Sequence, residues 1–111
     1  MTAELALALP ILVAVTLGLV WLLALGSAQI RVVDAARETA RSMARGDSMD
    51  EAVAAGERVA PAGSQVSVSR GDGWVIATAT GRVRGPGGLF SFLPGVRVEA
   101  EAVAVDEEDP P

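Results

Sequence analysis

A long N-terminal run of residues without charge limits how this chain can fold. From Leu5 to Ile30 the sequence has 26 residues and no Asp, Glu, Lys or Arg. As an α-helix this run would extend roughly 39 Å at about 1.5 Å per residue, and the hydrocarbon core of a bilayer is about 30 Å thick. A buried core helix of this length would need a larger domain around it than the rest of the 111-residue chain can form. We therefore expect residues 1–30 to form a membrane-inserting helix.

A cleaved secretory signal is a second interpretation of the same run. Such a signal has a positively charged start and an apolar core of about 7–15 residues. Here the charge before the run is the carboxylate of Glu4, and the run is much longer. The small residues Gly26-Ser27-Ala28 are nevertheless typical of a cleavage site, so a secreted α+β domain beginning at Gln29 stays open as an alternative.

Composition removes most enzyme chemistry. The chain has no Cys and no His, which excludes disulfides, thiolate nucleophiles, Cys/His metal sites and imidazole acid/base catalysis. The net charge of −5 gives no basic surface of the kind that binds nucleic acid. The polar residues Ser67, Ser69 and Asp72 form no convergent pattern. We expect no enzyme activity, no catalytic residue, no cofactor, no metal site and no nucleic-acid partner.

The spacing of small residues inside the run suggests a packing face. Ala6, Pro10, Ala14 and Gly18 recur every four residues, and small side chains let helices approach closely in lipid. The competing interpretation is that Ala and Gly are simply common in this sequence. Pro10 lacks a backbone N–H and its ring clashes with the carbonyl of Ala6, so we expect a kink there.

The helical period continues after the apolar run, over residues 31–46. One stripe is apolar and consists of Val32, Ala36, Ala40 and Met43. A second stripe is basic and consists of Arg37, Arg41 and Arg45, with Glu38 three residues before Arg41. The basic stripe is either a solvated face or a charged seam between subunits. Gly46 stands where a C-terminal glycine ends a helix.

A second helix is predicted from a capping signal. Ser48 and Glu51 fit the capping box, in which a serine precedes a glutamate by three residues. The helix should run from about Met49 to Val59, with these two residues and Val53 as its apolar face on the surface of the following sheet. Gly56 is expected to weaken it.

After Gly63 the apolar period changes to two, which predicts strands. The alternating segments are 66–69, 75–83 and 96–104. They favour a three-stranded antiparallel sheet with one face covered by helix, so residues 47–105 should form a small α+β domain. The tetrapeptide Arg70-Gly71-Asp72-Gly73 contains the sequence RGD, and we interpret it as a hairpin turn between the first two strands.

The segment between the second and third strands contains Phe90, Phe92 and Leu93 between glycines and prolines. These side chains either pack back to close the core or form an exposed contact loop. Residues 106–111 are acidic and end in two prolines, which is typical of a disordered tail.

The segment Thr2-Ala3-Glu4-Leu5-Ala6-Leu7-Ala8-Leu9-Pro10, followed by the apolar helix, resembles the N-terminus of TadE-like minor pilins of tight-adherence (Tad/Flp) type IV pilus systems. The resemblance implies a membrane-anchored structural subunit that helps assemble or prime a pilus for adhesion or secretion. It also implies contacts with other pilin subunits and the Tad machinery. The C-terminal domain would lie outside the cytoplasmic membrane, at the pilus or cell surface. Glu4 would match the glutamate that neutralises the free amine of a neighbouring subunit.

Two features depart from that family. Glu4 falls one place short of the expected fifth mature position, and Arg31, Arg37, Arg41 and Arg45 follow the apolar run with no basic residue before it. By the positive-inside rule this distribution places the domain in the cytoplasm, as in a single-pass membrane protein with a cytoplasmic adaptor domain. We expect instead a basic leader upstream, cut by a prepilin peptidase. Met1 would then stand where an internal GTG codon encodes valine.

Overall fold

The computed structural model describes residues 2–85 and 95–105. The chain forms α1 (Ala3–Ala44), α2 (Met49–Val59), β1 (Gln65–Arg70), β2 (Trp74–Val83) and β3 (Val96–Val105). The three strands are antiparallel and lie in the order β1-β2-β3. The predicted α+β fold, with a long N-terminal helix, a short second helix and a three-stranded sheet, is confirmed.

Helix α1 is continuous from Ala3 through Pro10 to Ala44 and ends in a Schellman motif. Gly46 has a φ of 96°, which favours glycine. Its N–H donates to the carbonyl of Met43 at 3.0 Å, and the N–H of Asp47 donates to the carbonyl of Ser42 at 3.1 Å. These two bonds satisfy carbonyls in the last turn, so Gly46 ends the helix as predicted.

The carboxylate of Asp47 reinforces this helix end. Its Oδ2 atom accepts a hydrogen bond from the Ser42 hydroxyl at 2.5 Å and another from the Arg45 guanidinium at 3.3 Å. Both bonds favour the ionised carboxylate, the serine bond most strongly, and together they lower the pKa of Asp47 below its ordinary value. The buried hydroxyl of Ser42 thereby has a partner at the point where the chain turns back into α2.

Helix α2 packs through its smallest residues. Its N-cap is Ser48, whose hydroxyl oxygen accepts from the N–H of Glu51 at 3.2 Å. The predicted apolar face was wrong, because Met49 and Val59 are 46% and 37% exposed. The buried residues of α2 are Ala52 and Gly56, and they let this helix lie close against α1.

Gly56 marks the closest approach between the two helices. A Cβ atom at this position would overlap the Thr39 hydroxyl oxygen and lie 3.1 Å from the carbonyl oxygen of Ala35. The Thr39 hydroxyl is buried and donates to that same carbonyl at 2.8 Å. The expectation that Gly56 only weakens α2 therefore misses its role, because the helix crossing requires a residue without a side chain.

Both helices lie on one face of the sheet, and the core divides into two clusters. The larger cluster contains Ala28, Val32, Ala35, Ala36, Ala79 and Val98. The smaller contains Met43, Ala52 and Val75. The four residues of the apolar stripe on α1, Val32, Ala36, Ala40 and Met43, are all buried. β2 therefore runs beside α1 from the Met43 end, where Val75 lies, toward the Ala28 end, where Ala79 lies.

The opposite face of the sheet is not covered by any element in the part of the chain that the structure describes. Across β2 and β3, Trp74 lies opposite Val105 and Ile76 lies opposite Val103. The turn between β1 and β2 closes with a bond from the N–H of Gly71 to the carbonyl of Trp74 at 2.9 Å. The turn interpretation of residues 70–73 is confirmed.

Candidate assembly surface

The N-terminal half of α1 projects beyond the domain. The molecule is 76 Å long and 19 by 17 Å across, and the first buried residue along α1 is Ala28. The apolar window of α1 is long enough to cross a membrane and has none of its residues buried in the domain. The exposed large side chains there are Leu5, Leu7, Leu9, Ile11, Leu12, Val13, Val15, Leu19, Val20, Leu22 and Leu23. This surface needs either lipid or another protein to cover it.

The predicted assembly residues Thr2 and Glu4 lie together at the tip of this surface. Thr2 is the N-cap of α1, and its hydroxyl oxygen accepts from the N–H of Leu5 at 3.3 Å. Glu4 lies in the first turn and is exposed. The positive end of the helix dipole favours an acidic side chain in the first turn, and Glu4 has this place where the apolar surface of α1 begins.

The small residues form a stripe along the same surface. Ala6, Pro10 and Ala14 are exposed, and Gly18 is half-exposed. A Cβ atom at Gly18 would meet nothing within 4 Å, so the glycine leaves open room for a neighbouring backbone. Positions four apart differ by about 40° around a helix. Neighbouring members of the stripe therefore lie close together, and its direction turns by about 120° around α1 from Ala6 to Gly18.

The domain packs on the side of α1 that carries Ala14 and Gly18, which the sequence reasoning missed. Ala14, Trp21 and Ala28 are spaced by seven residues, as are Gly18 and Leu25, and a seven-residue step returns to within about 20° of the same direction. Trp21 and Leu25 are half-buried, and Leu25 packs against the core cluster that contains Ala28. A partner helix that packs against Ala14 and Gly18 would therefore lie on the same side of α1 as the domain. The seven-residue spacing in the sequence is the signal that could have predicted this shared side.

The remaining predicted contact residues, Phe90, Phe92 and Leu93, lie outside the described residues, as does the predicted tail, residues 106–111. Within the described ranges 2–85 and 95–105, no three His, Cys, Asp or Glu side chains come together as a metal site. The described surface is therefore suited to binding another helix or lipid. It consists of an apolar helix with a stripe of small residues and one carboxylate at its tip.

The segment that forms α1 matches a known protein family. A family model described as TadE-like protein matches residues 1–41, which are almost all of α1. The chain is a TadE-like protein. The matched segment contains the Thr2–Pro10 motif, the small-residue stripe and most of the stripe that packs on the domain. The helix that the family model matches is also long and apolar enough to cross a membrane.

A curated relative extends the similarity into the domain. A Mycobacterium tuberculosis (strain ATCC 25618 / H37Rv) protein named apoptosis inhibitor Rv3655c is 38% identical over 81 residues, which cover 73% of this chain and 58% of the relative. The TadE-like chain thus spans less than two thirds of that relative's length. No solved structure matches the chain.

Proposed function

We propose that this TadE-like chain is a minor-pilin-like structural subunit that helps assemble or prime a Tad/Flp-type pilus for adhesion or secretion. In this proposal α1 holds the chain in the cytoplasmic membrane and the domain lies on the extracytoplasmic side or at the pilus surface. The chain performs no catalysis. Its partners are other pilin subunits, the Tad assembly machinery and a prepilin peptidase that acts on an upstream leader.

The observation that carries the proposal is the exposed N-terminal half of α1. A helix that served only as an anchor would need apolar side chains all round, without a preferred face. This helix has small residues on one side, including Ala14 and Gly18, and the open space at Gly18 suits close helix packing. A subunit that packs helix to helix with others uses such a face.

Glu4 supports the same proposal. A carboxylate at the edge of a membrane-inserting helix is costly unless it lies in the interface or meets a partner. In an assembly of helices its partner would be the free N-terminal amine of a neighbouring subunit. Such a pair contributes little net stability, but a misaligned neighbour leaves the charge unpaired at a cost of several kcal/mol. Glu4 would therefore act by selecting the correct register.

The secreted-domain alternative conflicts with the packing of the domain. Cleavage after Ala28 would remove Leu25 and Ala28 from the larger core cluster. Losing buried apolar side chains from a small domain is strongly destabilising. The cytoplasmic-adaptor alternative is favoured by one observation, the position of Arg31, Arg37, Arg41 and Arg45 just after the apolar run. It remains the second candidate function.

The test replaces Glu4→Gln in the native host and compares membrane level with piliation. We expect the variant to reach the membrane at the wild-type level, because a neutral side chain inserts more easily, while surface pili fall at least tenfold. Glu4→Asp should restore part of the loss. Glu38→Gln, which removes another carboxylate from α1, is the matched control and should assemble normally. Normal piliation by the Glu4→Gln variant would contradict the proposed role of Glu4.

A further inference from the structure

Arginines from two separate parts of the chain line a cavity at the end of the domain from which the apolar half of α1 projects. Arg31, Arg82 and Arg84 line one cavity of about 360 Å³ together with Ala24 and Ala28 of α1. Ser27, Pro61 and Val83 complete its wall. The sequence separates Arg31 from the other two by about fifty residues, so only the fold reveals this cluster.

The topology explains why the cluster lies at this end. Arg31 is the first charged residue after the apolar run of α1. β2 runs toward that part of α1 and ends at Val83, so Arg82 and Arg84 flank its last residue. A bond from the Gln29 side-chain amide to the carbonyl of Glu99, 3.2 Å long, joins α1 to β3 at the same level.

The three guanidinium groups have no acidic partner in the part of the chain that the structure describes. Arg41, Arg45 and Arg97 pair with Glu38, Asp47 and Glu99, whereas Arg31, Arg82 and Arg84 form no ion pair with a carboxylate of residues 2–85 and 95–105. Arg97 adjoins the cluster, because it lines a second cavity of about 500 Å³ with Arg82 and Arg84. Its charge is already shared with Glu99 at 3.3 Å.

The cluster also lies at the level of the lipid headgroups. About twenty residues of helix, from Leu5 to Ala24, span roughly 30 Å, the thickness of the hydrocarbon core. Ala24 lines the arginine cavity. Trp21 lies one turn earlier on the same side of α1, and tryptophan is enriched at the boundary between lipid and water. When α1 spans a bilayer, the cavity therefore opens among the headgroups.

We propose that Arg31, Arg82 and Arg84 bind the phosphate of an anionic phospholipid from the membrane that holds α1. Guanidinium groups donate paired hydrogen bonds to phosphate oxygens, and the three unpaired positive charges complement the net negative charge of a lipid such as phosphatidylglycerol. The bound lipid would join the underside of the domain to the bilayer. This site goes beyond the assembly role and requires only that α1 is inserted.

The test uses the full-length chain in detergent micelles, with lipid binding followed by native mass spectrometry. Phosphatidylglycerol and phosphatidylcholine are titrated in parallel. We expect a preference for phosphatidylglycerol that weakens as salt rises. Neutralising the cluster with Arg31→Gln, Arg82→Gln and Arg84→Gln together should reduce phosphatidylglycerol binding at least tenfold. Each arginine near a membrane surface typically contributes about fivefold, which corresponds to roughly 1 kcal/mol.

A matched variant distinguishes binding at this site from non-specific attraction between the protein's positive charge and the lipid. Arg37→Gln, Arg41→Gln and Arg58→Gln together remove the same charge from exposed positions elsewhere and should retain the lipid preference. Arg82→Lys with Arg84→Lys keeps the charge and should retain most of the binding, which guards against a folding defect in the first variant. Inorganic phosphate at millimolar concentration should not displace the lipid.

Four results would overturn the proposal. They are an equal affinity for the two lipids in the wild-type chain, unchanged phosphatidylglycerol binding in the cluster variant, an equal loss in the matched variant, and displacement by inorganic phosphate alone. The first would exclude a selective anionic-lipid site, and the next two would exclude this cavity as its location. The last would indicate a free-phosphate site.

Discussion

At the scale of single residues, the close crossing of α1 and α2 depends on the absence of a side chain at Gly56. The Thr39 hydroxyl occupies the space that a side chain at Gly56 would need, and it is buried there by its bond to the carbonyl of Ala35. Close packing of this kind leaves little room for relaxation, because protein interiors are packed as densely as organic crystals. One methyl group should therefore be enough to disturb the domain.

We expect Gly56→Ala to lower the free energy of unfolding by about 1–3 kcal/mol, the usual cost of overpacking a core. The measurement is thermal or denaturant unfolding of the full chain in detergent, followed by circular dichroism. Gly26→Ala is the matched control, since a Cβ atom there meets nothing within 4 Å and alanine favours a helix.

A second substitution tests the cause. Thr39→Ala removes the hydroxyl that Gly56→Ala would strike, so the double variant should be more stable than the sum of the two single effects predicts. Strict additivity of the two changes would show that the Thr39 contact is not the source of the loss.

At the scale of elements, α1 carries two different surfaces on one continuous helix. Its C-terminal half buries the stripe that holds the domain, and its N-terminal half presents the small-residue face on the same side. Because the two stripes are in line, a partner helix on the N-terminal half would reach the domain near Leu25. The helix therefore fixes both where a partner packs and where the domain stands relative to it.

Photo-crosslinking from two leucines tests this face. Leu7 is seven residues from Ala14, which places them within about 20° of each other, whereas Leu12 lies about 160° away from Ala14. Both leucines are exposed, by 71% and 59%, so they form a matched pair. With p-benzoylphenylalanine at each position in native membranes, we expect protein adducts from Leu7 at least fivefold above those from Leu12. Equal yields from the two positions would argue against a preferred face.

Local signals explain which elements were predictable. Ser48, Gly46 and the period-two valines act through hydrogen bonds and side-chain alternation within a few residues, and these predictions were confirmed. The packing of α2 was not predictable in this way. Gly56 is required because the Thr39 hydroxyl lies against it, and the distance between the two helices is set by the tertiary fold. The arginine cavity was missed for the same reason, because Arg31 and Arg82 line one cavity only when β2 packs against α1.

At the scale of the whole molecule, the charged side chains are distributed unevenly relative to the apolar half of α1. Arg31, Arg82, Arg84 and Arg97 gather at the end next to the apolar half of α1, whereas Asp47 and Asp72 lie in turns near the other end. By the positive-inside rule, arginines that follow a membrane span favour a cytoplasmic domain. A lipid-binding role for the arginines is possible on either side of the membrane. The lipid site therefore does not determine the orientation of the domain, whereas the positive-inside rule predicts it.

The side of the membrane on which the domain lies distinguishes a pilus subunit from a cytoplasmic adaptor, and it can be measured by labelling. The chain has no cysteine, so Asp72→Cys, in the exposed turn between β1 and β2, introduces a unique thiol. Intact cells of the native host are treated with a membrane-impermeant biotin maleimide, with the cysteine-free wild type as background and permeabilised cells as the full signal. The proposed pilus subunit predicts labelling in intact cells close to the full signal. Labelling only after permeabilisation would contradict it and establish a cytoplasmic domain.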